Sequence, residues 1–361
     1  MVTSALLLLA SLSPAHPNSL KPIVAIMSHG RTKSSSPLCK PSCDVIEASY
    51  VKWIESAGTI ILRCCVRCAQ PCFPDTQYTS AAASPRSGGR AVAVPYDATD
   101  AQVDMLFKST NGLLLPGGAS DISDAAKRFL GLAKEGNSGG ADYYPVWGTC
   151  LGFEWMLQFE GGANALDSGF DSENITLPVS FTPAGEVSRM FSGKGNHTVA
   201  YQCSAIRSIF SDAGNPVAMN NHESGITPAD FAANTALSAF YDVISTNVDR
   251  KDRAFVSAME AKDPRMPFYG VQYHPEKSQY EFGQSVWSGE GSESPYEVIN
   301  HSREAVLASQ FLADFFVGEC RRNDHTFASA AAEQASLMYN YADRIGTGDA
   351  PEFVQTYYLK H

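Results

Sequence analysis

The chain has 361 residues, of which 44% are hydrophobic and 18% are charged, and its formal net charge is −11. This length and apolar content suffice for a full core, and an α/β unit of about 300 residues is reasonable as one domain. The negative charge argues against nucleic acid and against an anionic membrane as the main partner. Outside the N-terminal segment, no stretch reaches the roughly 18 to 20 apolar residues of a membrane span.

The N-terminus has the features of a secretory signal peptide. An apolar run over residues 5–12 precedes Ser13-Pro-Ala15, a small-x-small pattern that predicts cleavage after about Ala15. We therefore assign residues 1–15 to a signal peptide and expect a glycoprotein of the lysosome, the vacuole or the extracellular space. Three glycosylation sequons support this route, and they begin at Asn174, Asn196 and Asn300.

Strands and helices alternate in the first half of the chain. This alternation implies a parallel, doubly wound sheet with functional sites at the carboxyl ends of its strands. The predicted strands are 23–27, 59–62, 112–115 and 146–149. The predicted helices are 45–57, 101–108, 121–133 and 153–159.

Residues 63–90 interrupt this alternation. They are rich in Ala, Ser, Cys and Pro and lack periodicity, which predicts a disordered surface loop. A mis-joined or unspliced gene segment is the alternative. The run Cys65-x-x-Cys68 with Cys72 suggests a zinc site. No His accompanies it, however, and the spacing fits no common zinc module, so we predict no metal. The nine cysteines are an odd number, which suits one free catalytic thiol with bridges among the others.

The second half of the chain is richer in strands. A long helix follows them at about 303–322. We predict one compact α/β domain over residues 20–327, and the sequence indicates no role for the tail, residues 328–361. The predicted strands of this half are 179–181, 241–246, 254–259 and 268–273.

A Gly-x-Cys-x-Gly turn over residues 148–152 marks a candidate nucleophile. A short apolar strand precedes it and a helix follows, so Cys150 stands on a sharp strand-to-helix corner with room for no Cβ on either side. The helix N-terminus is expected to lower the pKa of this thiol and favour the thiolate. Taken alone, the pattern is equally compatible with a buried structural Cys.

Two further motifs end apolar strands. Pro267 to Lys277 places His274 at a strand end as a candidate base, with Glu276 as the carboxylate that orients it. Residues 111–118 break into Pro-Gly-Gly, which can direct the backbone N–H of Gly117 or Gly118 toward an oxyanion; the N–H of Leu151 is the second predicted donor. Each motif alone is weak, but all three at strand ends are hard to explain without catalysis.

These strings resemble class I glutamine amidotransferase-like hydrolases and, within them, the gamma-glutamyl hydrolases (folylpolyglutamate hydrolases). The resemblance spans about 22–327, without the insertion. It implies a three-layer α/β/α sandwich with a mostly parallel central sheet, a Cys-His enzyme without cofactor or metal, and folylpoly-γ-glutamate as the small-molecule substrate, cleaved through a thioester. The matching segments are 22–26, 49–58, 107–118, 144–154, 269–277 and 312–323.

The resemblance also extends to substrate contacts. It places His222, in the segment 220–226, near the substrate, although a loop position without function is the alternative. Glu154 could meet the α-amino group of the substrate, or could merely stabilise its helix. A polyanionic substrate on an acidic chain suggests a basic mouth, for which Lys277 and Arg31 are candidates unless they are solvated surface charges.

Several alternatives stay open at this stage. A hydrolase of another γ-glutamyl amide would use the same residues, and a non-catalytic binding protein could share the scaffold. Ammonia supply to a synthase is disfavoured, because the chain has the features of a secreted protein. The sequence predicts neither whether cleavage is endo or exo nor whether the chain forms a homodimer.

Overall fold

The computed structural model describes residues 21–31, 43–58, 88–140, 142–191, 204–284, 294–345 and 353–360. Four predictions therefore lie outside the described residues: the signal peptide, the strand 59–62, nearly all of the insertion and the sequon at Asn196. Among the helices of the described part, none has both the length and the apolar content to cross a bilayer.

Fourteen strands are formed within the described residues. They are β1 (Ile23–Met27), β2 (His29–Arg31), β3 (Cys43–Glu47), β4 (Arg90–Val94), β5 (Gly112–Leu115), β6 (Val146–Thr149), β7 (Ser172–Leu177), β8 (Ser180–Phe181), β9 (Ala218–His222), β10 (Tyr241–Val248), β11 (Ala254–Ala261), β12 (Phe268–Val271), β13 (Ala342–Ile345) and β14 (Gln355–Lys360).

Eleven α-helices are formed in the same described residues. They are α1 (Ala48–Ser56), α2 (Asp100–Ser109), α3 (Asp124–Ser138), α4 (Leu151–Gly161), α5 (Pro183–Val187), α6 (Ser204–Phe210), α7 (Pro228–Ala233), α8 (Thr235–Phe240), α9 (Lys277–Tyr280), α10 (Arg303–Cys320) and α11 (Ala330–Ser336). The predicted strands 112–115 and 146–149 coincide with β5 and β6.

The central sheet has eight strands in the order β4-β1-β5-β6-β12-β11-β10-β8. The five strands from β4 to β12 are parallel, and the remaining three are antiparallel. The mostly parallel sheet expected from the sequence is thus confirmed. Because β5, β6 and β12 run in the same direction, the segments that follow them emerge at one edge of the sheet.

Helices cover both faces of this sheet. Val24 and Ile26 of β1 enter one core with residues of α1 and α10, whereas Ile23 and Ala25 enter a second core with residues of α2, α3 and α4. Alternate residues of a strand point to opposite faces, so a strand buried on both sides separates two cores. The three-layer α/β/α architecture follows directly.

The helix predicted over 45–57 is wrong in its first turn. Residues 43–47 form β3, and α1 begins only at Ala48. β3 lies between β2 and β14 in a separate four-stranded sheet. Its β-branched Val45 and Ile46 suit a strand, but one of its two partner strands, β14, comes from the far end of the chain, so a local pattern could not reveal that pairing.

The C-terminal segment belongs to this small sheet. β14 pairs with β13 on one side and with β3 on the other. Residues 328–361, to which the sequence assigned no role, therefore contribute two strands and α11 to the fold. The order of the small sheet is β13-β14-β3-β2.

The cysteines divide into bridged and free residues. Cys43 is disulfide-bonded, whereas Cys150 and Cys320 are free and buried. The described part of the chain thus holds a free thiol at the candidate nucleophile, a second free thiol at Cys320 and one bridged cysteine. Within that part, no group of three or more His, Cys, Asp or Glu side chains could hold a metal ion. Cys65, Cys68 and Cys72 lie outside it.

Two of the predicted sequons fall on described residues. The Asn300 amide nitrogen donates to Asn215 Oδ1 at 2.7 Å and to Pro216 O at 2.6 Å. Asn174 Oδ1 accepts the Val298 N–H at 2.6 Å. Both side chains thus form tertiary hydrogen bonds in the folded chain, and their glycosylation stays a prediction.

Candidate active site

The strand-to-helix corner predicted around Cys150 is present between β6 and α4. Cys150 is the N-cap of α4 and has φ 49° and ψ −105°, a conformation that L-residues adopt only when the surroundings enforce it. A Cβ on Gly152 would lie 2.1 Å from Leu115 O, and one on Gly148 would lie 2.6 Å from Met156 Sδ. Glycine is therefore required on both sides of the thiol, because the corner packs directly against neighbouring backbone and side chains.

The Cys150 sulfur lies in a buried polar pocket. It is 3.9 Å from Asn221 O and 3.9 Å from Gln272 Nε2. Burial raises the pKa of the Cys150 thiol well above its ordinary value, and the Glu154 carboxylate adds to this rise. Lys277 and the Leu151 N–H act in the opposite direction but do not outweigh burial. The lowered pKa expected from the helix N-terminus is therefore not found, and the resting thiol is neutral.

His274 belongs to the segment that follows β12, which we call the catalytic loop, residues 272–276. β12 lies beside β6 in parallel register, with Val271 opposite Thr149, and the Cys150 N–H donates to Val271 O at 2.9 Å. The nucleophile and the imidazole therefore leave adjacent strands at the same edge of the sheet. The His274 N–H donates to Met219 O of β9 at 2.8 Å, which ties the loop to that strand.

Glu276 orients the His274 ring. The Nδ1–H donates to Glu276 Oε1 at 2.7 Å, and both side chains are buried. This bond fixes the tautomer in which Nε2 carries the free lone pair. Within the described part of the chain Nε2 makes no hydrogen bond, neither to the sulfur nor to another group. Catalytic hydrogen bonds in proteins without substrate are often long and tighten only in the complex.

The oxyanion turn, residues 116–118 after β5, lies against the strand-to-helix corner that carries Cys150. Its Pro116 carbonyl accepts the Gly152 N–H at 3.0 Å. Gly118 has φ +149°, and a Cβ there would lie 3.1 Å from the His29 ring. The Gly117 N–H already donates to the Tyr50 hydroxyl at 2.8 Å. Of the predicted oxyanion donors, the Gly117 N–H is therefore already engaged, which leaves the N–H groups of Gly118 and Leu151 as the candidates.

Tyr50 and Gln272 belong to the site although the sequence analysis did not single them out. The Tyr50 hydroxyl lies 3.4 Å from His274 Nδ1 and so connects the oxyanion turn with the base. Gln272 Nε2 donates to Glu154 Oε1 at 3.0 Å. Gln272 stands two residues before His274, and this strand spacing was a usable signal for it. Tyr50 gave no such signal, because its contacts depend on the packing of α1.

Glu154 lies one turn into α4, beside the sulfur. Burial raises its pKa to about 7, and the hydrogen bond from Gln272 opposes the rise only in part. A carboxyl group with this pKa exchanges its proton near neutrality and can become charged when a cation replaces the proton. Glu154 is therefore a candidate to bind a cationic group of a ligand.

His222 is the last residue of β9, next to Asn221, whose carbonyl faces the sulfur. Its Nδ1–H donates to Ser224 O at 2.7 Å, and its Nε2 is buried without a partner in the described part of the chain. Burial lowers the pKa of His222 to about 4, so the ring is neutral and Nε2 is an acceptor. The charge of His274 contributes to this lowering, so the structure places the His222 ring within electrostatic reach of His274.

Lys277, one of the two candidates for a basic mouth, is not a solvated charge. Lys277 is buried, and its Nζ donates to both oxygens of Glu297 at 2.6 Å. The prediction for Lys277 was wrong because the residue that follows the His-Pro-Glu run turns inward as α9 begins. The side chain of Arg31 lies outside the described residues.

The chain is similar in sequence to known proteins. The family model Glutamine amidotransferase class-I matches residues 78–291. Gamma-glutamyl hydrolase of Mus musculus is 35% identical over 86% of this chain and 82% of that protein. The Homo sapiens protein of the same name is 34% identical over the same shares. Gamma-glutamyl hydrolase B of Dictyostelium discoideum is 30% identical over 89% of this chain and 78% of that protein.

Proposed function

Because the chain belongs to the gamma-glutamyl hydrolases, a family of class I glutamine amidotransferase-like enzymes, we propose that it hydrolyses γ-glutamyl amide bonds of folylpoly-γ-glutamates through a thioester on Cys150. The observation that carries the proposal is the strained Cys150 corner beside the strand that ends in the His274–Glu276 pair. No metal or organic cofactor takes part in the steps proposed below.

The first step forms the covalent bond. His274 Nε2 accepts the proton of the neutral Cys150 thiol while the sulfur attacks the γ-carbonyl carbon of the substrate. The carbonyl π electrons move to the oxygen, and the N–H groups of Gly118 and Leu151 stabilise the resulting oxyanion. Glu276 stabilises the imidazolium that forms, because its carboxylate already accepts the Nδ1–H.

The second half of the reaction restores the enzyme. The protonated His274 donates its proton to the departing amine nitrogen as the carbon–nitrogen bond breaks, which leaves a γ-glutamyl thioester. His274 then removes a proton from water while the water oxygen attacks the thioester carbon. As the carbon–sulfur bond breaks, the imidazolium returns this proton to the sulfur. The products are the thiol and a γ-carboxylic acid, which ionises in water.

Glu154 and His222 support a γ-glutamyl group as the part of the substrate that enters the pocket. Such a group carries an α-ammonium, which can donate to the Glu154 carboxylate and to the unpartnered His222 Nε2. Gln272 holds Glu154 in place from the other side. Binding of the ammonium replaces the proton of Glu154, so substrate affinity depends on pH around the Glu154 pKa of about 7.

Product analysis tests the substrate class. The purified chain is incubated with pteroylpentaglutamate and, in parallel, with simple γ-glutamyl amides, and the products are separated by chain length. We expect glutamate or oligoglutamate and shorter pteroylglutamates, with far lower turnover of the simple amides. Equal or faster cleavage of the simple amides would assign the enzyme to another γ-glutamyl substrate.

Alkylation separates an enzyme from a binding protein on the same scaffold. Iodoacetamide should label Cys150 and abolish turnover, and substrate should slow the labelling. Cys320 is a built-in control, because it is free and fully buried and should remain unlabelled while the chain is folded. An inert Cys150 in folded protein would favour the binding protein.

A further inference from the structure

Resting on the function proposed above, we propose that the C-terminal segment 353–356 positions the active site by holding the catalytic loop and the oxyanion turn together. Neither Phe353 nor Val354 is proposed to touch substrate. The segment contacts the residues that follow His274 and Glu276 on one side, and the strand that supports Gly118 on the other.

The first contact is with the helical turn after the catalytic loop. The ring of Phe353 lies under the Lys277 ammonium, with Nζ 5.0 Å from the ring centre. The Val354 N–H donates to Glu281 Oε2 at 2.5 Å. Lys277 directly follows Glu276, and Glu281 closes α9 through its N–H to Lys277 O at 3.0 Å. The segment therefore holds both ends of α9, whose first residue adjoins the catalytic carboxylate.

The second contact is with the oxyanion turn, through β3. Thr356 of β14 pairs with Glu47, the last residue of β3. The carboxylate of Glu47 binds His29 Nε2 at 3.0 and 3.1 Å. The His29 ring lies so close to Gly118 that a Cβ there would stand 3.1 Å from it. A shift of β14 would therefore move Gly118, one of the two candidate oxyanion donors, through Glu47 and His29.

Tyr50 strengthens the connection. It stands one turn into α1, which begins directly after Glu47, and its hydroxyl accepts the Gly117 N–H. A displaced β3 would therefore move the hydroxyl that lies between the oxyanion turn and His274. Misplacement of catalytic groups by about 1 Å can cost up to a hundredfold in rate.

The central sheet does not include the segment. β14 pairs with β3 and β13, and none of these three strands belongs to the eight-stranded sheet. β14 does contribute Leu359 to one main core, but Phe353 and Val354 are not among the described residues of either core, so small changes at 353–354 should alter catalysis while both cores stay packed. This separates a positioning role from a general contribution to folding.

Two matched pairs of variants test the proposal in the full chain. Phe353→Leu removes the aromatic face under Lys277, and Phe353→Tyr restores it. Glu281→Leu removes the acceptor of the Val354 N–H, and Glu281→Gln keeps an acceptor oxygen. Gln355→Ala is the control on the same segment, because the Gln355 side chain binds Asp343 of β13, away from the site.

Turnover of pteroylpentaglutamate and the thermal unfolding midpoint are measured for all five variants. We expect Phe353→Leu and Glu281→Leu to lower kcat about tenfold, within the range for misplaced catalytic groups, with KM little changed. Phe353→Tyr, Glu281→Gln and Gln355→Ala should stay within about twofold of the parent. Unchanged kcat in both leucine variants would overturn the proposal, and so would an equal loss in Gln355→Ala.

The rate of Cys150 alkylation provides a readout that needs no turnover. We expect the two leucine variants to change this rate, and their conservative partners to restore it. If Cys150→Ala keeps full hydrolytic activity, the proposed function fails regardless of the tail. If Cys150→Ala is inactive but the leucine variants match the parent in kcat and in alkylation rate, the positioning role alone fails.

Discussion

Two clusters of buried polar groups lie at opposite ends of the central sheet and differ in their hydrogen bonding. At the amino ends of the strands, the Asn111 side chain is fully paired. Asn111 accepts the Ile23 N–H at 2.8 Å and donates to Asn323 O at 3.1 Å and His325 O at 2.9 Å. This one side chain joins β1 to the segment after α10. Satisfied buried networks of this kind add rigidity.

At the carboxyl ends, buried polar atoms stand without protein partners. Among the described residues these include His222 Nε2, Gln272 Oε1 and Glu276 Oε2. Each unsatisfied buried polar group costs about 1–3 kcal/mol, and the Cys150 conformation adds strain of about the same size. These unsatisfied atoms and the strained Cys150 belong to the candidate site, where a bound substrate could supply the missing partners, whereas the Asn111 network stabilises the opposite edge.

Of the substitutions at the two ends, removal of either reacting group should cause the largest loss of kcat. We expect Cys150→Ala to lower kcat by about a thousandfold or more, because the nucleophile is lost, and His274→Ala by at least about a hundredfold. The unfolding free energy of Cys150→Ala should change by less than about 1 kcal/mol, since the strained corner loses one atom. Turnover and chemical denaturation measure the two effects.

Cys320→Ala is the matched control at the amino end. Its sulfur is fully buried beside Gly112, where a Cβ would lie 2.5 Å from it. We expect a loss of about 1 kcal/mol in unfolding free energy from the small cavity, and no change in kcat. Retention of a tenth of the activity in Cys150→Ala or His274→Ala would contradict the proposed pair.

Two buried tyrosines, one at each end of the central sheet, extend the comparison. Tyr50→Phe removes the acceptor of the Gly117 N–H at the carboxyl end, so we expect kcat to fall about tenfold. Tyr144→Phe removes a 2.6 Å hydrogen bond to Thr110 at the amino end and should leave kcat unchanged. Each variant should lose about 1–3 kcal/mol of unfolding free energy. A similar fall of kcat in both variants would show that stability alone governs the rate.

Glu154→Gln tests the proposed substrate contact. We expect KM to rise about tenfold or more, because the neutral amide cannot pair with an ammonium, and kcat to change less. In the parent, KM should fall as pH rises through about 7, the pKa of Glu154, and in the variant this dependence should disappear. Steady-state kinetics between pH 5 and 9 measure this dependence. An unchanged KM would indicate that Glu154 only stabilises its helix.

Glu154→Gln should also change how the free energy of unfolding depends on pH. The folded pKa of Glu154, about 7, lies above its ordinary 4.5, so the folded state holds a proton that the unfolded state loses first. The parent therefore becomes less stable as pH rises from about 4.5 to about 7, by about 3 kcal/mol from this group. Glu154→Gln should lack this decline, and denaturation at pH 4.5 and 8 compares the two proteins.

The sequence revealed those parts of the fold and site that depend on local pattern. Strands β5 and β6, the Cys150 corner and the His274 position follow from apolar runs that end in Gly or Pro. β3 was missed because one of its two partner strands, β14, is more than 300 residues away along the chain, and the other, β2, was not predicted either. The engaged Gly117 N–H and the raised pKa of Cys150 were missed for a related reason, since both depend on side chains that tertiary packing brings together.

His325 at the amino end should give the smallest effect, and one confined to stability. Burial lowers the pKa of His325, but the hydrogen bond and charge of Asp142, 3.0 Å away, outweigh it, so the pKa is raised overall. The stabilisation is therefore complete below about pH 6.5, the ordinary value, and disappears as pH rises through the raised folded pKa. We expect His325→Gln to lose up to about 1 kcal/mol of unfolding free energy at pH 5 and less at pH 9. Its kcat should equal that of the parent at both pH values, because the residue lies at the end of the sheet opposite Cys150; a fall in kcat would break the division of roles between the two ends.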